Sequence, residues 1–209
     1  MFSLLRFMAF AVRRFREALT ASPDAMFIAR RLFVTNSIDS IISSLGVNVG
    51  AYNPGVDPKV LILAVLGGSI SLSLISGFIG VFISEKAERV RELRDLERKL
   101  GARLENTIYA RSATLVPLYV ALWSSTGMLL FPLVIVAPYT AVLAGVMGLA
   151  EAFSASIAIA LLSLAVIGAY LGIVMGERMW LSALRTLGLG IITLAVVIVF
   201  KLVFGALVG

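Results

Sequence analysis

Residues 29–52 read ARRLFVTNSIDSIISSLGVNVGAY. Two arginines open the stretch, and the residues after them are apolar over a length that crosses a bilayer, for which about 20 helical residues suffice. One carboxylate, Asp39, stands about two helical turns inside. Asn36, Ser37, Ser40, Ser43, Ser44 and Asn48 accompany it, with Gly46 and Gly50 further along. A carboxylate at that depth is expensive in hydrocarbon, so it faces a polar pathway or a partner. The stretch therefore sets the class of the molecule: a membrane-spanning helix around one acid, with the rest of the chain as its surroundings.

The composition agrees. The chain has 209 residues, of which 60% are hydrophobic, and its mean hydropathy is +1.02. A soluble domain of this length is far less apolar. The net charge of +6 reads as cytoplasmic Lys and Arg rather than as a nucleic-acid surface. With neither Cys nor His, disulfides, thiol catalysis and Cys/His metal clusters are excluded. Any metal site must use oxygen ligands or Met sulfur, and oxygen sets suit Mg, Ca, Mn or ferrous iron. No Ser/His/Asp set and no glycine-rich phosphate loop with its lysine is present, so no enzyme is expected and no permanently bound cofactor.

Along the chain, residues 1–22 alternate apolar and basic, which predicts an amphipathic helix in the membrane interface. Ser22-Pro23-Asp24 signals the start of a new helix that runs through Arg30 and Arg31 into the membrane. The fold class is all-α, a single polytopic membrane domain with five spans over 32–52, 59–84, 112–136, 152–175 and 184–208. Residues 1–30 form the interfacial helix and lead-in, and 85–108 a charged cytoplasmic helix between spans 2 and 3. Pro138 is expected to break residues 137–151 from span 3, leaving a kinked extension and an outer loop. This count places sixteen of the eighteen Lys and Arg on one side, with only Lys59 and Lys201 opposite. The positive-inside rule then puts the N-terminus in the cytoplasm and the C-terminus outside.

Three constellations carry possible chemistry. Asn36, Asp39, Ser40 and Ser43, continued by Gly46 and Gly50, fall on neighbouring turns of one helical face. Either they line an ion or proton pathway, or Asp39 is buried against another helix. Glu85, Glu88, Glu92 and Asp95 stack on one face of the charged helix. They either gather cations at a pore mouth or form a solvated face with pairs such as Arg91 with Asp95 and Asp95 with Lys99. Val90, Leu93, Leu96, Leu100 and Leu104 make an apolar stripe on the same helix, which the membrane surface or a second copy must cover. Met128 offers soft sulfur to ferrous iron, against the commoner role of core filler. Gly168, Gly172 and Gly176, each four apart, form a close-packing face.

Arg31, Asp39, Gly46 and Gly50 resemble the first span of the vacuolar iron transporter family and its yeast calcium/manganese-sensitivity relatives. Gly127 with Pro132, and Ser182, Leu184, Arg185, Gly188 and Gly190, are similar to later stretches of that family, as is the plan of five spans with a charged insertion. The chain departs from the pattern at Ser40, where the family has Gly. It departs again at Ser73-Leu74-Ile75-Ser76-Gly77-Phe78, where the family has Ser-Met-x-x-Gly-Glu, and at Leu32, where some members carry a carboxylate. The resemblance implies a short prokaryotic-type member in the cell membrane. It implies a homodimer whose first spans face each other, two Asp39 carboxylates making one site, and Fe2+ or Mn2+ as transported substrate. The small-residue face of span 1, the glycines of span 4 and the leucine stripe are expected to support the dimer. Two alternatives stand beside this: a transporter or channel for another substrate, and a non-transporting scaffold that docks a partner through residues 85–108.

Overall fold

Ser22-Pro23-Asp24 opens the first helix: the Ala25 amide donates to Ser22 O at 3.0 Å and that of Ile28 to Asp24 O at 3.0 Å. The computed structural model describes residues 20, 22–105 and 107–208, so the expected interfacial helix over 1–22 lies almost wholly outside the described residues. The helices are α1 (Ala25–Ala51), α2 (Pro58–Leu72), a π-helical stretch (Ser73–Gly80), α3 (Val81–Leu100), α4 (Ile108–Leu143), α5 (Leu149–Met175) and α6 (Met179–Val208). Among the described residues there is no strand. Among the described residues five helices are long and apolar enough to cross a membrane, the architecture of an integral membrane protein.

Local chemistry sets the ends. Asn53-Pro54-Gly55 turns the chain, with Gly55 at φ 86°. Asp57 then caps α2 by accepting from the Lys59 amide at 2.9 Å, with Pro58 in the first turn, where its missing N–H costs nothing. Gly145 closes α4 at φ 71°, and the Val146 amide reaches back to Ala141 O at 3.0 Å. Gly176 ends α5 in the same way at φ 70°. The Glu151 carboxylate accepts from the Gly148 amide at 3.1 Å and caps the start of α5.

Two elements differ from the sequence expectation. The second span and the charged helix are one continuous helix, Pro58–Leu100, 43 residues long. No Pro or Gly follows Gly80 until Gly101, so nothing stops the helix where the composition turns polar at Ser84. It ends at Gly101, φ 63°, rather than at residue 108, with Arg98 and Lys99 in its last turn. Residues 58–83 alone exceed the roughly 20 helical residues that cross the hydrocarbon, so the charged part after them extends past the apolar layer. Pro138 is likewise inside α4, which runs unbroken to Leu143. Neighbouring helices tolerate proline in membrane helices, and Pro117 and Pro132 in the same helix are fully buried.

The chain forms two compact units, and α1, α4 and the 43-residue helix each run through both. The first holds Met1–Phe33 and Leu74–Ser125. Its core joins Ala25 and Ala29 of α1 to Val116 and Val120 of α4, with Ile28, Leu32, Val81 and Tyr119 packed around them. The second holds Val34–Ser73 and Thr126–Gly209. Its core joins Leu61 and Val65 of α2 to Val136 and Tyr139 of α4 and Ala152 of α5. In this unit α5 and α6 pack at glycines. A Cβ on Gly168 would lie 2.0 Å from Thr186 Oγ1, and one on Gly172 would lie 2.9 Å from Met179 Cα. These glycines are therefore taken up by α6 of the same chain, and only the face of α1 and the leucine stripe are left as grounds for a dimer.

Candidate functional site

The polar residues of α1 divide between two faces. Ser37, Ser40, Ser44 and Asn48 recur at steps of three and four and are buried. Thr35, Asp39 and Ser43 recur every four residues on the other side, with Gly50 seven further on, and are exposed. Asn36 is half-buried and engaged. The sequence expectation that Ser40 shares a face with Asp39 is therefore corrected. One residue along a helix is a rotation of about 100°, and that turns Ser40 into the packing.

Ser40, Ser44 and Asn48 each have a partner in the second unit. Ser40 Oγ donates to Met128 O at 2.8 Å. The Ser44 and Ser69 hydroxyls lie 3.4 Å apart, and Ser69 Oγ donates to Val65 O at 2.7 Å. Asn48 uses both ends of its amide: Nδ2 donates to Ser156 Oγ at 2.9 Å, and Oδ1 accepts from Tyr139 Oη at 2.5 Å. Ser156 Oγ passes the chain on to Ile135 O at 2.7 Å. This network ties α1 to α4 and α5 and is structural. Met128 is buried in the core, with its carbonyl serving Ser40.

Asp39 is different. It lies near the middle of α1, roughly 21 Å from Ala25 and roughly 18 Å from Ala51 at 1.5 Å per residue. Among the described residues its carboxylate has neither ion pair nor hydrogen bond. Ser43 lies one turn along the same outward face. Gly50 continues that face, and a Cβ there would meet nothing within 4 Å. Gly46 faces α6 instead, where a Cβ would lie 3.7 Å from Val197 Cγ2. The exposed strip is thus Thr35, Asp39, Ser43 and Gly50, narrower than the sequence suggested.

The acidic face of α3 is neutralised rather than gathered. Arg89, only 8% exposed, receives three carboxylates on its fork. Nη2 meets Asp24 Oδ2 at 2.6 Å, Nε meets Glu85 Oε1 at 3.2 Å, and Nη1 meets Glu92 Oε2 at 3.2 Å. Burial pulls the Arg89 pKa down, but the hydrogen bond to Asp24 and the charges of Asp24, Glu92 and Glu85 outweigh it and hold the guanidinium above its ordinary pKa. Glu88 pairs with Arg91 at 3.8 Å and Asp95 with Arg98 at 3.1 Å, in place of the pairs expected with Arg91 and Lys99. Among the described residues no three acids converge to hold a metal ion. The apolar stripe is partly covered: Leu93 and Leu96 line a cavity of about 150 Å³ with Tyr109, Ser112 and Ala113 of α4, while Leu96 and Leu100 stay exposed.

Several residues of weight were not singled out in the sequence. Arg89 had a readable signal, since Glu85 and Glu92 flank it at four and three residues. Tyr139, Ser156 and the reach of Lys201 to α1 had none, because their partners are distant in the chain. No family model matches the chain, and no curated protein matches it.

Proposed function

We propose that the chain is a membrane transporter that exports a divalent cation, ferrous iron or manganese, from the cytoplasm. Asp39 receives the ion. One observation carries the reading: an unpaired, exposed carboxylate near the middle of a helix long enough to span the membrane. Hydrocarbon does not tolerate such a group, so water, an ion or another protein surface must meet it. In the proposal a second copy supplies the other wall, and two α1 helices face each other across the path. Two Asp39 carboxylates with the Ser43 hydroxyls then make an oxygen-only set, which suits hard divalent ions. The likeness of Arg31, Asp39, Gly46 and Gly50 to the vacuolar iron transporter family supports the same assignment. The charge distribution supports a cytoplasmic N-terminus and an external C-terminus. The proposal includes export in exchange for protons.

The test is uptake of Fe2+ and Mn2+ by proteoliposomes holding wild-type or Asp39→Asn protein, across pH. Wild-type uptake should weaken as pH falls, and Asp39→Asn should abolish it. Near-normal, pH-dependent uptake by the mutant overturns the assignment. The scaffold reading rests on the exposed Leu96 and Leu100. It predicts no flux from either protein and a partner lost on Leu96→Ser/Leu100→Ser.

A further inference from the structure

Lys201 is the one charged residue of the run Gly190–Gly209 and lies within the membrane-spanning length of α6. No carboxylate pairs with it among the described residues. Its ammonium turns to the C-terminal end of α1, donating to Val49 O at 3.4 Å and to Tyr52 O. It also lies 6.0 Å from the centre of the Tyr52 ring. That ring is stacked on Phe153 of α5 at 3.8 Å, which fixes its orientation.

The chemistry at that place is specific. The last carbonyls of a helix have no partner in their own helix and carry the negative end of its dipole. Two such oxygens and the negative face of an aromatic ring form a pocket suited to a cation. Lys201 fills it with a charge borne by another helix. A neutral side chain of the same length would leave the carbonyls unpaired in an apolar setting, where unsatisfied backbone is costly.

We infer that Lys201 is a positioning residue. Its ammonium pins the C-terminal turn of α1 and so holds the exposed face of that helix, Asp39 included, in register. The pin depends on charge, not on bulk. The structural part stands whatever the protein carries; the effect on flux rests on the transport reading above.

The chain contains no cysteine, so Lys201→Cys creates a unique thiol that reagents can convert. Aminoethyl methanethiosulfonate restores an ammonium one atom further out than in lysine, and methyl methanethiosulfonate adds a neutral group. The first readout is amide hydrogen exchange of residues 48–53 in nanodiscs; the second is Mn2+ uptake by proteoliposomes. Lys201→Met and untreated Lys201→Cys should exchange about tenfold faster there, the size of effect a partly buried charge at a helix C-terminus produces. Their uptake should fall in parallel. Lys201→Arg and the aminoethylated cysteine should return towards wild type, and the methylated cysteine should not. Unchanged exchange in Lys201→Met, or equal rescue by the neutral reagent, overturns the inference. Exchange that follows the charge while no protein moves Mn2+ leaves the pin standing and removes manganese as the transported ion.

Discussion

Asp39 and Asn48 share α1 and meet opposite surroundings. Asn48 is fully buried and bonded at both ends of its amide. Truncating it leaves the Tyr139 hydroxyl without its acceptor and removes a donor from Ser156, so Asn48→Ala should destabilise by about 1–2 kcal/mol. Asp39 has no partner to lose among the described residues, so Asp39→Asn should leave the melting temperature unchanged or raise it, because an unpaired charge in an apolar setting is itself a cost. Melting curves of the two variants in one detergent check both. A strongly destabilised Asp39→Asn would identify Asp39 as a structural anchor. Arg89 is the third residue of weight. Arg89→Met leaves Asp24, Glu85 and Glu92 without their shared cation and should cost about 2 kcal/mol. The sign of its pH dependence follows from the raised pKa. A group held above its unfolded pKa contributes fully below that value and loses the contribution only as pH rises through the folded value. Between pH 6 and pH 10 the guanidinium therefore stays charged, so its own titration gives that deficit no pH dependence there.

Helix pairing depends on which glycines are occupied. A methyl on Gly168 would collide with Thr186 Oγ1 and with Ser182 O, 2.8 Å away. Gly168→Ala should force α5 and α6 apart and cost about 1–3 kcal/mol, the range for overpacking a tight contact. Gly50 is the contrast, since a methyl there meets nothing within 4 Å in the single chain. By propensity alone Gly50→Ala should stabilise by roughly 0.5–1 kcal/mol. If a second copy lies against this face, the same change should weaken the dimer instead, and analytical ultracentrifugation in detergent separates the two outcomes. These elements also mark how far the sequence could be read. The five apolar helices were legible because hydropathy over about 20 residues is a coarse, strong signal. The start of α1 and the turn at Asn53-Pro54-Gly55 were legible because they are local. The continuity through Ser84 was misread because polarity changes there while helix propensity does not. Pro138 was read as a break because a single sequence does not say which prolines its neighbours accommodate. The face of Ser40 was missed because a helix in lipid lacks the polar-out rule that fixes rotation in water. Arg89 with Asp24, and Asn48 with Tyr139, join positions far apart in the chain, which one sequence does not pair.

At the scale of the whole molecule the question is what meets the Asp39 strip. Leu162, Val166, Ile191, Ile198 and Leu202, exposed on α5 and α6, are apolar, and lipid satisfies them. On the exposed strip Asp39 and Ser43 are polar and Gly50 is bare, and lipid does not satisfy them in that way. A two-fold arrangement of copies through α1 resolves the mismatch, because each strip then faces its own equivalent. Five spans also place the two ends of the chain on opposite sides: a tag at residue 100 should be cytoplasmic and a reporter after Gly209 external, and finding both on one side rules out five crossings. The dimer has a sharper test, since the chain has no native cysteine. Ser43→Cys puts a thiol on the proposed two-fold surface, and Ile198→Cys puts one on α6, where lipid is expected. Two β-carbons must approach to about 4 Å for a disulfide to form. Oxidation in native membranes should therefore yield covalent dimers with Ser43→Cys and monomers with Ile198→Cys. A short bifunctional crosslinker should give the same order if the path is too wide for a direct bond. Equal crosslinking at both positions would mean random collision, and none at Ser43 with either reagent would remove the second copy as the other wall of the path.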